Sequence, residues 1–297
     1  MLSESQIESA SLMTSRELWI AGARPKTLVA AIAPVIVGTA FAGYDAKLIN
    51  FLLALIVGLA LQVGVNYAND YSDGIKGTDD DRVGPIRLVG AGLAKPTEVK
   101  RAALISFGVA ALAGLILASR TDWFLLIIGA LAILAAWGYT GGAKPYGYMA
   151  LGEVSVFIFF GLVATLGTYY VQVGGISFEV LIAAIAMGFL ATAILVVNNL
   201  RDLERDAKCG KTTLAVKLGA ARTRALYRIT IFLPLLLALT LAVESRYFLI
   251  SLLALPQLIR ASRAVNSGAL IELLGKTGQI QITISLALSL ASILAAR

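Results

Sequence analysis

Five carboxylates fall within the twelve positions from Asp70 to Asp81, in the stretch NYANDYSDGIKGTDDDRVGP that follows an apolar run. Asn66, Asn69, Asp70 and Asp73 stand at i, i+3, i+4 and i+7, the spacing that puts side chains on one face of a helix. Asn198, Asp202 and Asp206, at i, i+4 and i+8, form a second such face, with Asn199 beside it. Carboxylates held this close repel one another, and burial makes that repulsion costly unless a cation offsets it. Mg²⁺ suits such a place: it takes hard oxygen ligands and shares its shell between one or two carboxylates and a substrate's phosphates. Basic partners for phosphate are near in sequence, namely Arg82 and Arg87, Lys144, and Arg201, Arg205, Lys208 and Lys211. Acids for a metal and cations for phosphoryl oxygens together describe a diphosphate site.

Competing explanations apply unevenly. The run DDDR reads best as a solvated loop that sets membrane orientation, so Asp80 and Asp81 are left out of the site, as are the basic residues of 217–228. Asp70, Asp73, Asp202 and Asp206 are in register with apolar helices and are accompanied by Asn, which a topological signal does not require. The string CGKTT imitates the end of a P-loop, but Arg205 stands where its first glycine belongs and no strand precedes it. NDYSDG lacks the alternating ligands of a calcium loop. A third segment, YTGGAKPYGYMALGE (139–153), carries Tyr139, Tyr146 and Tyr148. These rings either anchor helices at the membrane interface or line a cavity, shielding a cation or stacking on an aromatic substrate.

The elements that position these groups are membrane helices. The chain has 297 residues, 58% of them hydrophobic and only 14% charged. Apolar runs of roughly 17 to 25 residues, enough to cross the hydrocarbon core, recur along its length. The reading is an all-α bundle of nine transmembrane helices near 26–44, 48–70, 98–119, 123–141, 150–172, 178–201, 222–243, 246–262 and 276–296. It forms one domain over 1–297, with 1–25 a cytoplasmic lead-in rather than a cleaved signal, since Glu4 and Glu8 precede the first basic residue. With the N-terminus cytoplasmic and the C-terminus outside, the external connections hold only Lys47, Arg120, Arg246 and Arg297 of the 25 Lys and Arg. Both acid-rich connections, 71–97 and 202–221, then face the cytoplasm. The pI near 9.5 reflects this distribution and not nucleic-acid binding. One cysteine, Cys209, rules out internal disulfides, and the absence of histidine removes the commonest general base.

Taken together, the three segments resemble the membrane-embedded aromatic prenyltransferases of ubiquinone and menaquinone biosynthesis, over essentially the whole chain. NDYSD is similar to that family's first Asp-rich motif and NNLRDLERD to its second. The family pattern puts a further Asp four residues after Asp73, where this chain has Gly77 and then Asp79. That departure, with GTDDDRVGPIRLV, ARPKTLVAAIAPVIVGTA, YTGGAKPYGY and NNLRDLERDAKCGKTTLAVKLG, resembles the 1,4-dihydroxy-2-naphthoate branch.

The resemblance implies Mg²⁺-dependent transfer of a polyprenyl group from its diphosphate to 1,4-dihydroxy-2-naphthoate at the carboxylated carbon, with loss of carbon dioxide, in the plasma membrane with the site facing the cytoplasm. It further implies Mg²⁺ on Asp70, Asp73, Asp202 and Asp206, with Asn66, Asn69, Asn198 and Asn199 as neutral support. Arg82, Arg87, Lys144, Arg201 and Lys211 are then expected on the diphosphate or the naphthoate carboxylate, and Tyr139, Tyr146 and Tyr148 beside the reacting centre. Two alternatives stay open: a sister enzyme using 4-hydroxybenzoate, homogentisate or a phytyl donor, and a secondary transporter, which would hold its acids nearer mid-bilayer. No protein partner is implied.

Overall fold

The computed structural model describes residues 13–77 and 87–296, and within them every long element is helical. The chain opens with α1 (Ser15–Ala23), capped by Thr14 and Glu17 in a reciprocal box. Arg24 then takes a left-handed conformation, φ 55°, and a short turn, Pro25–Thr27, leads into α2 (Val29–Phe41). There follow α3 (Leu48–Ile75), α4 (Pro96–Arg120), α5 (Leu125–Gly138), α6 (Gly152–Val173), α7 (Phe178–Arg201), the short α8 (Leu203–Lys208), α9 (Leu214–Thr240), a 3₁₀ segment Arg246–Ala254 continuing into α10 (Leu255–Ala264), and α11 (Leu270–Ala295).

Among the described residues six helices are long and apolar enough to cross a membrane: α3, α4, α6, α7, α9 with its 3₁₀ extension to Val243, and α11. A seventh crossing is available if Ser15–Thr27 and Val29–Phe41, bent by 50° at their junction, count as one. The nine expected segments are recognisable in order, but two fall short as spans. Helix α5 is 14 residues, shorter than 123–141: Asp122 Oδ1 accepts from the Phe124 amide just before it, and the backbone turns left-handed at Gly142, φ 78°, just after it. The segment 246–264 divides between 3₁₀ and α windings. The stretch read as a loop over 202–221 contains α8 and the first turns of α9, and α3 runs five residues beyond the expected end at 70.

Helix α7 is the axis of the bundle. Met187, Leu190, Val196 and Val197 are fully buried against Tyr227 and Ile231 of α9 and Ile280, Ile284 and Leu288 of α11. Helix α6 approaches it by bare backbone. A Cβ on Gly161 would lie 2.2 Å from Gly188 Cα, so neither position accepts a side chain without separating the helices. At that crossing α6 widens into a π-helical stretch, Phe157–Val163. In contrast, α4 and α5 turn Leu104, Ile105, Leu112, Ile127, Leu131 and Leu134 outward, an apolar girdle suited to lipid. The protein is an integral membrane protein.

Candidate active site

A cavity of about 360 Å³ runs between α2, α3, α5, α6 and α7. Its mouth is polar, formed by Arg24, Asn66, Asn69, Asp73, Arg87, Asn198, Asn199 and Lys211, and its shaft is almost wholly apolar. From Ser155 to Val171 the lining residues of α6 recur every four positions. An ordinary α-helix would rotate that stripe away from the cavity; the wider π turn at Phe157–Val163 keeps it in line. The shaft follows α6 for 16 residues, roughly 24 Å at helical rise.

The first acid face divides as the loop after α3 folds back. Asn66, Asn69 and Asp73 line the cavity, whereas Asp70, at the edge of the stripe, is fully buried and turned toward that loop. Its two oxygens accept the backbone N–H groups of Leu88 (2.8 Å) and Val89 (3.0 Å). Gly74 makes the docking possible, since a Cβ there would lie 2.5 Å from Val89 Cγ1. Docking in turn delivers Arg87, which is 3.4 Å from Asp73 Oδ2 in a buried ion pair. The other Asp73 oxygen accepts the Tyr148 hydroxyl at 2.7 Å. Asn69 Oδ1 accepts the Thr140 hydroxyl at 2.7 Å.

The second face stands at the foot of α7. Arg201 holds Asp202 through two charge-assisted bonds of 2.8 and 2.7 Å and also donates to Asn198 Oδ1. Arg205 approaches both Asp202 (3.4 Å) and Asp206 (3.2 Å). Burial raises the Asp206 carboxyl above the usual range, with Lys211 and Arg205 opposing and Asp202 adding to the rise. Asn199 donates to Glu153, a buried acid of α6 that sequence reasoning passed over. The chain segments after α5 and α8 are tied by a bridge between Met149 and Thr212, which brings the third predicted segment beside the second acid face.

The tyrosines part company. Tyr139 and Tyr146 line the cavity edge to face, 5.5 Å between ring centres, and Tyr146 is fixed by its hydroxyl to Ala135 O and Ser155. Tyr148 lies outside the lining; its ring sits between the ammonium groups of Lys76 (5.2 Å) and Lys211 (5.0 Å). Lys144, just before the 3₁₀ turn Tyr146–Tyr148, is exposed and does not line the cavity. Asp70, Asp202, Asp206 and Arg201 support the mouth from behind the lining. Arg82, together with Asp79, Asp80 and Asp81, lies outside the described residues.

Among the described residues no three acids converge as a ready-made metal cluster. The donor set nevertheless fits Mg²⁺ bound jointly with a diphosphate. Each face offers one or two carboxylates and an amide oxygen, all hard ligands, and the cations beside them match the phosphate oxygens that would complete the shell. All four acids are at most 6% exposed, and arginines presently balance their charge on both faces. Sequence reasoning missed Arg24, Thr27, Gln62 and Lys76. Arg24 stands in the block ARPKT, and Gln62 is a lone amide in an apolar helix, a pattern that marks an inward-facing group.

Comparison with known proteins places this geometry. Residues 31–267 match the UbiA prenyltransferase family. The chain is 48% identical over 283 residues to a 1,4-dihydroxy-2-naphthoate octaprenyltransferase of Mycobacterium tuberculosis, covering 93% of this chain and 97% of the relative. It is 40% identical over 262 residues to the Escherichia coli protein of the same description, covering 84% and 85%. Among solved structures, a UbiA homolog from Archaeoglobus fulgidus bound to GPP and Mg²⁺ superposes with a TM-score of 0.67 at 15% identity, over 91% of this chain and 98% of that one. The apo UbiA homolog from Aeropyrum pernix K1 gives 0.72 at 16%, over 89% and 97%. Coverage, identity to these relatives and fold agree, and the chain belongs to the UbiA prenyltransferase family.

Proposed function

We propose that this enzyme transfers a polyprenyl group from polyprenyl diphosphate to 1,4-dihydroxy-2-naphthoate, releasing diphosphate and carbon dioxide, as a step of menaquinone biosynthesis. The observation that carries the reading is the cavity itself, with acids and cations at its mouth and an apolar shaft beneath. The similarity to relatives described as 1,4-dihydroxy-2-naphthoate octaprenyltransferases selects the acceptor.

The diphosphate sits at the mouth. Lys211 and Arg87 take its oxygens, and Asp73, Asn69 and Asn198 on the cavity wall would hold Mg²⁺ beside it, with Asp202 and Asp206 behind the lining adding negative charge and reaching the metal only by turning from Arg201 and Arg205. Bound there, the metal supplies Lewis acidity and positive charge that weaken the allylic C–O bond. Asp70 supports the loop that presents Arg87, and Arg201 and Arg205 fix Asp202 and Asp206 in place. The apolar shaft excludes water from the allylic cation left behind, and Tyr139, Tyr146, Phe159 and Phe160 line the space around it.

The ring carbon bearing the carboxylate then attacks, forming the new C–C bond. The electron pair of the carboxylate C–C bond returns to the ring as carbon dioxide leaves. One electrophile replaces another and no proton is removed, so the lack of histidine costs the reaction nothing. A tail of many isoprene units exceeds a cavity of about 360 Å³ and continues into lipid.

We further read the chain as one domain of nine membrane-crossing segments, the N-terminus and active site cytoplasmic and the C-terminus outside, in the plasma membrane. The charge distribution supports that orientation. Purified protein in detergent, given polyprenyl diphosphate and Mg²⁺ with either 1,4-dihydroxy-2-naphthoate, 4-hydroxybenzoate or homogentisate, tests the acceptor. Product from the naphthoate alone is expected; product from another acceptor alone rejects the branch.

A further inference from the structure

Gln62 lies in α3, seven residues before Asn69 and so roughly 10 Å deeper in the shaft. It lines the cavity, is 7% exposed, and none of the roles above uses it. Its amide orientation is fixed by a neighbour. The Thr27 hydroxyl gives its one proton to Arg24 O at 2.9 Å and therefore faces the rest of its surroundings as an acceptor. It receives Nε2 of Gln62 and Nδ2 of Asn66, both at 3.0 Å, and Asn66 is itself locked by a second bond to Ala23 O. Gln62 can therefore offer only its N–H toward Thr27. Its Oε1 is buried with no hydrogen-bond partner. A buried acceptor left without a donor is costly, so its retention in a residue of the cavity wall calls for a donor that arrives with the ligand.

On the reading that the acceptor is a dihydroxynaphthoate, the ligand brings such a donor. The hydroxyl next to its carboxylate is satisfied internally by that carboxylate. The hydroxyl across the ring has no partner within the molecule and, in an apolar shaft, needs one from the protein. We propose that Gln62 Oε1 accepts the hydrogen bond of this remote hydroxyl, making Gln62, with Thr27 as its lock, the residue that recognises a dihydroxylated acceptor. A site built to bond a hydroxyl discriminates strongly against the analogue without it, because the protein group is otherwise left unpaired.

The test compares two ligands that differ only at this point. In Gln62→Leu, kcat/KM for 1,4-dihydroxy-2-naphthoate at saturating donor and Mg²⁺ should fall at least tenfold, equivalent to about 1.4 kcal/mol. The inhibition constant of 1-hydroxy-2-naphthoate, which keeps the carboxylate and its adjacent hydroxyl but lacks the remote one, should move less than twofold, as should KM for the donor. Gln62→Met, of similar length, should repeat the pattern if the Leu variant folds poorly. Equal losses for both naphthoates, or no loss for either, overturn the subsite while leaving the acceptor assignment standing. Wild-type protein that prenylates only an acceptor without a second hydroxyl overturns the assignment and the subsite with it.

Discussion

Asp70 and Asp73 are three residues apart on one helix, yet replacing each by Asn should fail in different ways. Asp70 is fully buried and spends both oxygens on the amides of Leu88 and Val89. In Asp70→Asn one oxygen becomes an NH₂ group, so a donor faces a donor and a charge-assisted bond is lost. Hydrogen bonds to charged groups contribute about 1.5–3 kcal/mol, and taking roughly 2 kcal/mol from the docked loop raises its open population about 30-fold. Hydrogen exchange measured on a peptide covering residues 87–94 should speed up by that order. Turnover should fall because Arg87 is no longer held at the mouth, while the Mg²⁺ concentration for half-maximal rate stays within about threefold. Asp73→Asn should do the reverse. Asn can still accept from Tyr148 and Asp70 still holds the Leu88 and Val89 amides, so exchange over 88–94 rises less than in Asp70→Asn although the Arg87 ion pair is lost, and the Mg²⁺ requirement rises tenfold or more as a carboxylate leaves the metal site. A large Mg²⁺ shift in Asp70→Asn with unchanged loop exchange would refute this division of labour.

Other expectations follow from single contacts. Tyr148→Phe removes the 2.7 Å bond to Asp73 but keeps the ring between Lys76 and Lys211, so kcat/KM should drop about tenfold with little change in thermal stability. Lys211→Ala should raise KM for the prenyl diphosphate at least tenfold, whereas Lys144→Ala, at an exposed position off the cavity, should stay within twofold of wild type in the same assay. Gly161→Ala places a methyl 2.2 Å from Gly188 Cα and should cost about 3 kcal/mol or more, seen as a lower unfolding temperature in detergent and a poor yield of folded protein.

The helical class and the two acid faces were legible because apolar periodicity and carboxylate spacing are local properties. Asn66, Asn69 and Asp73 share the cavity face as their spacing implies, but Asp70 does not, since its direction is decided by a loop 18 residues downstream. Lys144 was grouped with the site by proximity in sequence, but it is exposed and does not line the cavity. Tyr146 and Tyr148 occupy one 3₁₀ turn yet meet different partners, Ser155 and Asp73, a separation that no spacing rule gives. Arg24 depends on a left-handed backbone at a non-glycine residue. The shortness of α5 was hidden because the apolar run continues past the turns that end the helix.

A cavity that exchanges a carboxylate for a prenyl group, with a divalent metal at its mouth, must couple carbon dioxide release to prenyl transfer. The most direct measurement supplies 1,4-dihydroxy-2-naphthoate labelled in its carboxylate, with polyprenyl diphosphate, to wild-type and Asp73→Asn protein across a Mg²⁺ titration. Labelled carbon dioxide and prenylated naphthoquinol, the latter read as its quinone after air oxidation, are counted together. One carbon dioxide per prenylated product is expected, with no release without Mg²⁺ or donor and a curve displaced to higher Mg²⁺ in the variant. Prenylated product that retains the label, or release that proceeds equally without metal, would contradict it.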